Sequence, residues 1–330
     1  PWPGGLRYLH IADGMNMKRP ANATLLGLAI GDALGMPFET NKDSIHPKLA
    51  DWTMSTYVEG NYHKLPPGHY TDDTEMAAAL AESLVDTKGW YSRVAAAEHY
   101  RQWSLGAPTG MGTSTRTAMN RLVDGIPAHL SGVMFDHPDK VGNGTAMRCA
   151  PLGVVNKPGR DSDLLYSCRD DARITHDHPV AVDASYAVAL AISQILETSG
   201  SFNYGTILRR LPKESLIADA IEKAFQCIFD RVQDEEAMNI LGRRGNAIQT
   251  VGSAFYFCGM YCASDFDFAL DRAIRAGGDT DTRGAIVGAI MGTMKGRDRI
   301  QEHLIDGLNN AQYIMDLDDK LIALRDGAEP

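Results

Sequence analysis

Gly277-Gly278-Asp279-Thr280-Asp281-Thr282 runs into Ala285-Ile286-Val287-Gly288-Ala289-Ile290-Met291-Gly292-Thr293-Met294, and the reading of this stretch decides the fold. Residues 285–294 are apolar nearly all round, which predicts a helix buried on every side. Gly288 and Gly292 stand four apart on one helix face, where small residues let a second helix come close. Residues 184–196 read the same way. Ile217, Ile221, Ala224 and Ile228 recur at spacings of three and four, with Lys223 and Asp230 off that stripe. Residues 75–84 are rich in Ala, Leu and Met, which are good helix formers. Strand signals are scarce: Val154-Val155 is the best β-branched pair and is too short to carry a sheet. The expected fold is all-α in a single compact domain. Residues 17–330 should form it, with residues 1–16 a leader or disordered extension and Met15 and Met17 as plausible starts.

The chain has 330 residues, 44 % of them hydrophobic, so a large core can be buried. The formal charge of -10 argues against a nucleic-acid binder, which needs a basic surface. The five cysteines, Cys149, Cys168, Cys227, Cys258 and Cys262, form no CxxC pair. They read as reduced, mostly buried thiols of a cytoplasmic protein, with Cys258 and Cys262 spaced to share a helix face. No secretory signal is visible, and no uninterrupted apolar run reaches the ~18 residues that a membrane span needs. The long Gly/Pro-rich segments at residues 40–70, 106–114, 123–143 and 156–163 are expected to be loops that serve a site.

Two Asp/Thr clusters carry the chemistry. Thr71-Asp72-Asp73-Thr74-Glu75 precedes a helical run, and Asp72 with Glu75 three residues on also fits a capping box. Asp279-Thr280-Asp281-Thr282 precedes a second run and has no Glu three residues after either Asp. Both offer hard oxygen ligands, and neither contains a His or Cys. Such ligands suit Mg²⁺ or Mn²⁺. Carboxylates from two helix N-termini can bridge two ions about 3.5–4 Å apart.

Other segments suit a phosphate-bearing ligand. Gly142-Asn143-Gly144-Thr145 and Met111-Gly112-Thr113-Ser114 are Gly/Ser/Thr loops, each followed by an arginine (Arg148, Arg116), and their backbone N–H groups can form an anion nest. An ordinary turn and cap fits either one equally well. Glu39 follows Pro37-Phe38, where a solvated turn residue is the usual occupant. In His176-Asp177-His178-Pro179, Asp177 is expected to cap the helix that follows.

Taken together, these stretches resemble the ADP-ribosylglycohydrolase family, and within it the bacterial dinitrogenase-reductase-activating type. The matching segments are Gly27-Leu28-Ala29-Ile30-Gly31-Asp32-Ala33-Leu34-Gly35, residues 71–76, 142–149, 174–179 and 277–282. They stand in the family's order over about residues 25–295. The resemblance implies an all-α orthogonal helical fold with a cleft for two Mg²⁺ or Mn²⁺ ions. Thr71, Asp72 and Asp73 would hold one ion. Asp279, Asp281 and Thr282 would hold the other, with Asp281 as bridge. Glu39 matches a carboxylate beside the ribose and, with Asp281, is the catalytic candidate. Gly112, Thr113, Ser114, Gly142, Asn143, Gly144, Thr145, Met147 and His176 match segments around the diphosphate and ribose.

The implied reaction is hydrolysis of the bond joining ADP-ribose to a protein side chain, arginine first. The implied partners are an ADP-ribosylated protein and ADP-ribose itself, with neither nucleic acid nor membrane, and the protein is expected to be a monomer. The alternatives are a catalytically weak ADP-ribose-binding protein of the same fold and a hydrolase of a serine or O-acetyl ester linkage. One position departs from the pattern: Gly110 stands where arginine-specific bacterial members often carry Asp.

Overall fold

Helices α1 (Thr24–Gly35) and α14 (Thr280–Lys295) lie side by side at the centre of the protein, and glycines set their separation. A Cβ added at Gly31 would lie 2.0 Å from the Gly284 carbonyl oxygen, and one at Gly27 would lie 2.2 Å from that of Gly288. Gly35 faces the Thr280 carbonyl as closely, and Gly292 that of Ala23. Backbone therefore packs on backbone along the full length of α1. The expected role of Gly288 and Gly292 holds, and their partners are the glycines of residues 27–35.

The computed structural model describes residues 22–40, 43–60, 64–133, 137–198 and 200–328. The expected leader at residues 1–16 lies outside them. Around the central pair stand α2 (Asp72–Asp86), α3 (Arg93–Leu105), α4 (Thr113–Val123), α5 (Ala128–Ser131), α6 (Ala150–Val155), α7 (Asp161–Thr175) and α8 (Pro179–Thr198). The rest of the shell is α9 (Tyr204–Arg210), α10 (Leu216–Phe229), α11 (Asp234–Leu241), α12 (Ala247–Met260), α13 (Phe266–Arg275), α15 (Glu302–Asp306) and α16 (Ala311–Asp326). The fold is all-α, with no strand among the described residues beyond two isolated bridges, Val133 with Asp177 and Gly142 with Asn246. Val154 and Val155 close α6. The buried apolar side chains form one continuous cluster.

Two carboxylates from other helices finish helix starts that lack their own caps. Ala23 cannot cap α1. Asp318 of α16 accepts from the N–H groups of Leu25 (2.9 Å) and Leu26 (3.0 Å) and from Asn22 Nδ2 (3.0 Å). Asp32 of α1 does the same for α2. It accepts from Thr71 N (3.0 Å), Thr71 Oγ1 (2.8 Å), Thr74 N (3.1 Å) and Thr74 Oγ1 (2.7 Å). The capping-box reading of Asp72 is thereby corrected. Asp72 lies inside the first turn, and Glu75 turns away to accept from Trp103 Nε1 at 2.7 Å. The cap of α8 is likewise not Asp177, which pairs with Arg173 at 3.1 Å. His178 Nδ1 accepts from Val180 N at 3.2 Å instead.

Three smaller expectations shift. Residues 106–114 are not all loop, since α4 starts at Thr113, and residues 123–143 contain α5. Cys262 lies beyond the end of α12, so it does not share a helix with Cys258; all five cysteines are free and four are buried. Helix α8, at 20 residues, is long and apolar enough to cross a membrane by length and composition alone, yet 89 % of its apolar window is buried inside the protein. It reads as a core helix packed by α6 and α7.

Candidate active site

The site grows directly from the central helix pair. Because α1 and α14 touch, the C-terminal end of α1 lies beside the N-terminal end of α14, and Thr280 Oγ1 donates to the Gly35 carbonyl at 2.7 Å. Glu39, just past α1, is thereby set against Asp279 and Asp281. Carboxylate oxygens of these three residues lie within 4.8 Å of one another, a grouping able to hold a cation. Asp32 brings in the N-terminus of α2, so that Asp73 and the Thr282 hydroxyl are hydrogen-bonded. The two clusters, separated by more than 200 residues of sequence, therefore meet.

No protein cation pairs with them among the described residues. Asp72, Asp73 and Asp281 are buried, and their carboxyls are held well above the usual range, first by burial and then by neighbouring carboxylates, Asp32 beside Asp72 and Asp73 and Glu39 beside Asp281. Burial, with Asp279 and Asp32 nearby, pushes Glu39 up to about 7. Arg283 is close but spends its guanidinium on the carbonyls of Ala273 and Gly277. Arg243 donates to the Ala276 carbonyl and pairs with Glu235. Asp73 Oδ1 is buried with no hydrogen-bond partner. Buried carboxylates at this density need cations to stay ionised. The donor set, oxygen throughout, suits a hard divalent ion. The residues present therefore fit the expected metal.

Above the cluster opens a cavity of about 450 Å³. Glu39, Asp72, Asp73, Asp279, Asp281 and Thr282 line it. Gly142, Asn143, Gly144, Met147 and His176 also line it, as do Gly110, Gly112, Thr113 and Ser114. The N-terminus of α4 thus opens on the cavity, where its unpaired N–H groups suit an anion. Asn143 ties the 142–144 loop to the carboxylates, with Nδ2 donating to Asp279 Oδ2 at 2.5 Å and to Thr250 Oγ1 at 3.0 Å.

Some expected residues are placed otherwise. Thr145 turns its hydroxyl to the Ala181 carbonyl (2.7 Å) and Thr71 turns its hydroxyl to Asp32, so neither lines the cavity. Arg148 does not serve the anion loop from outside: it is fully buried against Asp171. Arg116 donates to the Met111 carbonyl at 2.9 Å and so shapes the 111–114 turn. The sequence reading missed Thr40, Thr115, Lys140, Arg244, Gly245 and Asn246, which also line the cavity. The Gly242-Arg243-Arg244-Gly245-Asn246 run ahead of α12 was the available signal: a Gly-rich basic turn before a helix. Its Asn246 bridges to Gly142, and Ala247 N donates to the Val141 carbonyl at 2.9 Å.

Comparison with known proteins places this geometry. The profile of the ADP-ribosylglycohydrolase family matches residues 15–330. An uncharacterized protein of Archaeoglobus fulgidus is 34 % identical over 315 residues, covering 93 % of this chain and 97 % of that one. The ADP-ribosyl-[dinitrogen reductase] glycohydrolase of Rhodospirillum rubrum is 28 % identical over 294 residues, covering 87 % and 89 %. A solved structure described as an ADP-ribosylglycohydrolase-related protein complex superposes with a TM-score of 0.71 at 28 % identity, covering 92 % of this chain and 96 % of that one. The chain belongs to the ADP-ribosylglycohydrolase family.

Proposed function

We propose that this member of the ADP-ribosylglycohydrolase family is a metal-dependent hydrolase that releases ADP-ribose from modified protein side chains, ADP-ribosylarginine first. The observation that carries the reading is the meeting of the two Asp/Thr clusters at a cavity that is also lined by the 142–144 loop and the N-terminus of α4. One end of the ligand is thus offered cations, and the other is offered N–H donors for a diphosphate.

Asp72 and Asp73 would hold one divalent ion, with Thr71 behind them bonded to Asp32, and Asp279, Asp281 and Thr282 would hold the other, as Mg²⁺ or Mn²⁺. When bound, such ions orient ribose hydroxyls and lower the pKa of a bound water. The remaining work falls to the chain's own groups. Glu39, whose carboxylate lies within 4.8 Å of those of Asp279 and Asp281, is placed to take a proton from the attacking water. The bond from the anomeric carbon to the side-chain nitrogen breaks with oxocarbenium character, water supplies the new oxygen, and the leaving guanidine gains a proton. A cytoplasmic monomer belongs to the same reading.

A second acceptor is favoured by one observation. Gly110 adopts φ +96°, and a Cβ there would lie 2.4 Å from Asp72 Oδ1. The acceptor side therefore lacks the carboxylate that arginine-specific relatives often carry, which favours a serine or O-acetyl ester linkage. A panel of Arg-, Ser- and ester-linked ADP-ribose, assayed with Mg²⁺ and with Mn²⁺, tests both. Fastest release from the arginine conjugate supports the first reading, and fastest release from an oxygen-linked conjugate supports the second. Inert behaviour towards all three, with ADP-ribose still bound, would point to a binding protein.

A further inference from the structure

His176 lines the cavity, and its hydrogen bonds decide which ring nitrogen carries the proton. Its Nδ1 lies 2.9 Å from Thr175 Oγ1. That hydroxyl also lies 2.7 Å from Arg148 Nη1, which can only donate. The Thr175 hydroxyl thus accepts from Arg148, and its single proton has one described acceptor, His176 Nδ1. The opposite arrangement, Nδ1–H donating to Oγ1, would leave the hydroxyl proton buried without an acceptor. Nδ1 therefore accepts, and the ring proton is on Nε2.

Arg148 is held for this task from every side. Its Nε donates to Asp171 Oδ2 at 3.0 Å, and its Nη2 donates to the Asp171 carbonyl at 3.0 Å. Tyr100 donates to Asp171 Oδ1 at 2.9 Å, and its ring lies 4.8 Å beneath the guanidinium. The same Nη1 also donates to the Gly144 carbonyl at 2.9 Å, which fixes the loop over which the imidazole lies. A Cβ on Gly142 would sit 3.3 Å from His176 Nε2, and one on Gly144 2.9 Å from Cε1. Both positions are bare, and Nε2 has no protein partner among the described residues.

We propose that Thr175, Arg148 and Asp171 are positioning residues that hold His176 as its Nε2–H tautomer, a neutral donor aimed into the cavity at an acceptor oxygen of the ADP-ribosyl group. The ligand's identity rests on the function proposed above; the tautomer does not. Burial and the Arg148 charge push His176 down to about 3, so the ring stays neutral at working pH. A neutral N–H group donates to an oxygen of either a phosphate or a hydroxyl without adding a charge to the cavity.

Long-range ¹H–¹⁵N spectra of the histidine-labelled, ligand-free protein read the tautomer directly. Wild type is expected to show Nε2 protonated and Nδ1 as a hydrogen-bonded acceptor. Thr175→Val is expected to move the Nδ1 resonance and to weaken ADP-ribose binding about tenfold, the size of one hydrogen bond to a charged partner. Thr175→Ser should keep both at wild-type values. Protonated Nδ1 in wild type, or a Thr175→Val spectrum and affinity identical to wild type, would overturn the proposal. Because the spectra need no substrate, a failed tautomer assignment is distinguishable from a failed functional reading.

Discussion

Two buried charge clusters, one lining the cavity and one behind it, handle their charge in opposite ways. In the first, Asp72, Asp73, Asp279, Asp281 and Glu39 crowd together, and Asp73 Oδ1 has no partner. In the second, Arg148 and Asp171 are fully buried and neutralise each other, with Tyr100 and Thr175 completing their hydrogen bonds. The second cluster is balanced by protein alone. The aspartates of the first have no protein cation paired with them among the described residues, and their chemistry suits a positive ligand. Electrostatic incompleteness, more than burial, marks where a cation belongs.

The contrast can be broken in four ways. Chelation, or Asp281→Ala, should cut ADP-ribose release by at least about a hundredfold while far-UV circular dichroism keeps its helical signal; full activity in either case would remove the metal reading. Arg148→Met leaves Asp171 buried and unpaired, so chemical denaturation should show a loss of about 3–5 kcal/mol. Saturating Mn²⁺ at a hundred times its Kd should stabilise the metal-free wild type by about 2.7 kcal/mol, and Arg148 variants that fold should keep that gain. Asp73→Asn removes a charge from the first cluster. It should raise the stability of metal-free protein by about 1 kcal/mol and abolish the gain from Mn²⁺. The same kind of edit, removing one charge, thus has opposite signs in the two clusters.

Acidity sharpens the same point. Glu39 has a carboxyl raised from 4.5 to about 7, so the folded metal-free protein holds its proton more tightly than the unfolded chain does. That contribution to stability is complete below pH 4.5 and is lost as pH rises through 7. Thermal melts of metal-free protein should therefore fall over this window, and in Glu39→Gln that part of the fall should disappear.

The fold was legible in the sequence because its central helices are apolar all round, a pattern that strands of this length do not give. Gly288 and Gly292 announced a close helix contact. Their partners at Gly27, Gly31 and Gly35 stood in the sequence too, but nothing in a spacing says which helix meets which. The Asp/Thr clusters were legible through their ligand chemistry. The role of Asp32 was not, because a carboxylate that caps another helix leaves no local signature. The partner of Arg148 was not legible either: the residue follows a Gly-rich loop, whereas Asp171, 23 residues on, claims its guanidinium. Local pattern reports helices and donor atoms; long-range pairing decides which charges remain available.

Calorimetric titration of Mn²⁺ into the metal-free protein, repeated in buffers of different protonation enthalpy, tests the central claim most directly. Saturable binding with release of protons at pH 6, lost in both Asp73→Asn and Asp281→Ala, is the expected result, because carboxyls held high by burial must give up protons to ligate. Absence of saturable binding, or binding that both variants retain, would contradict it.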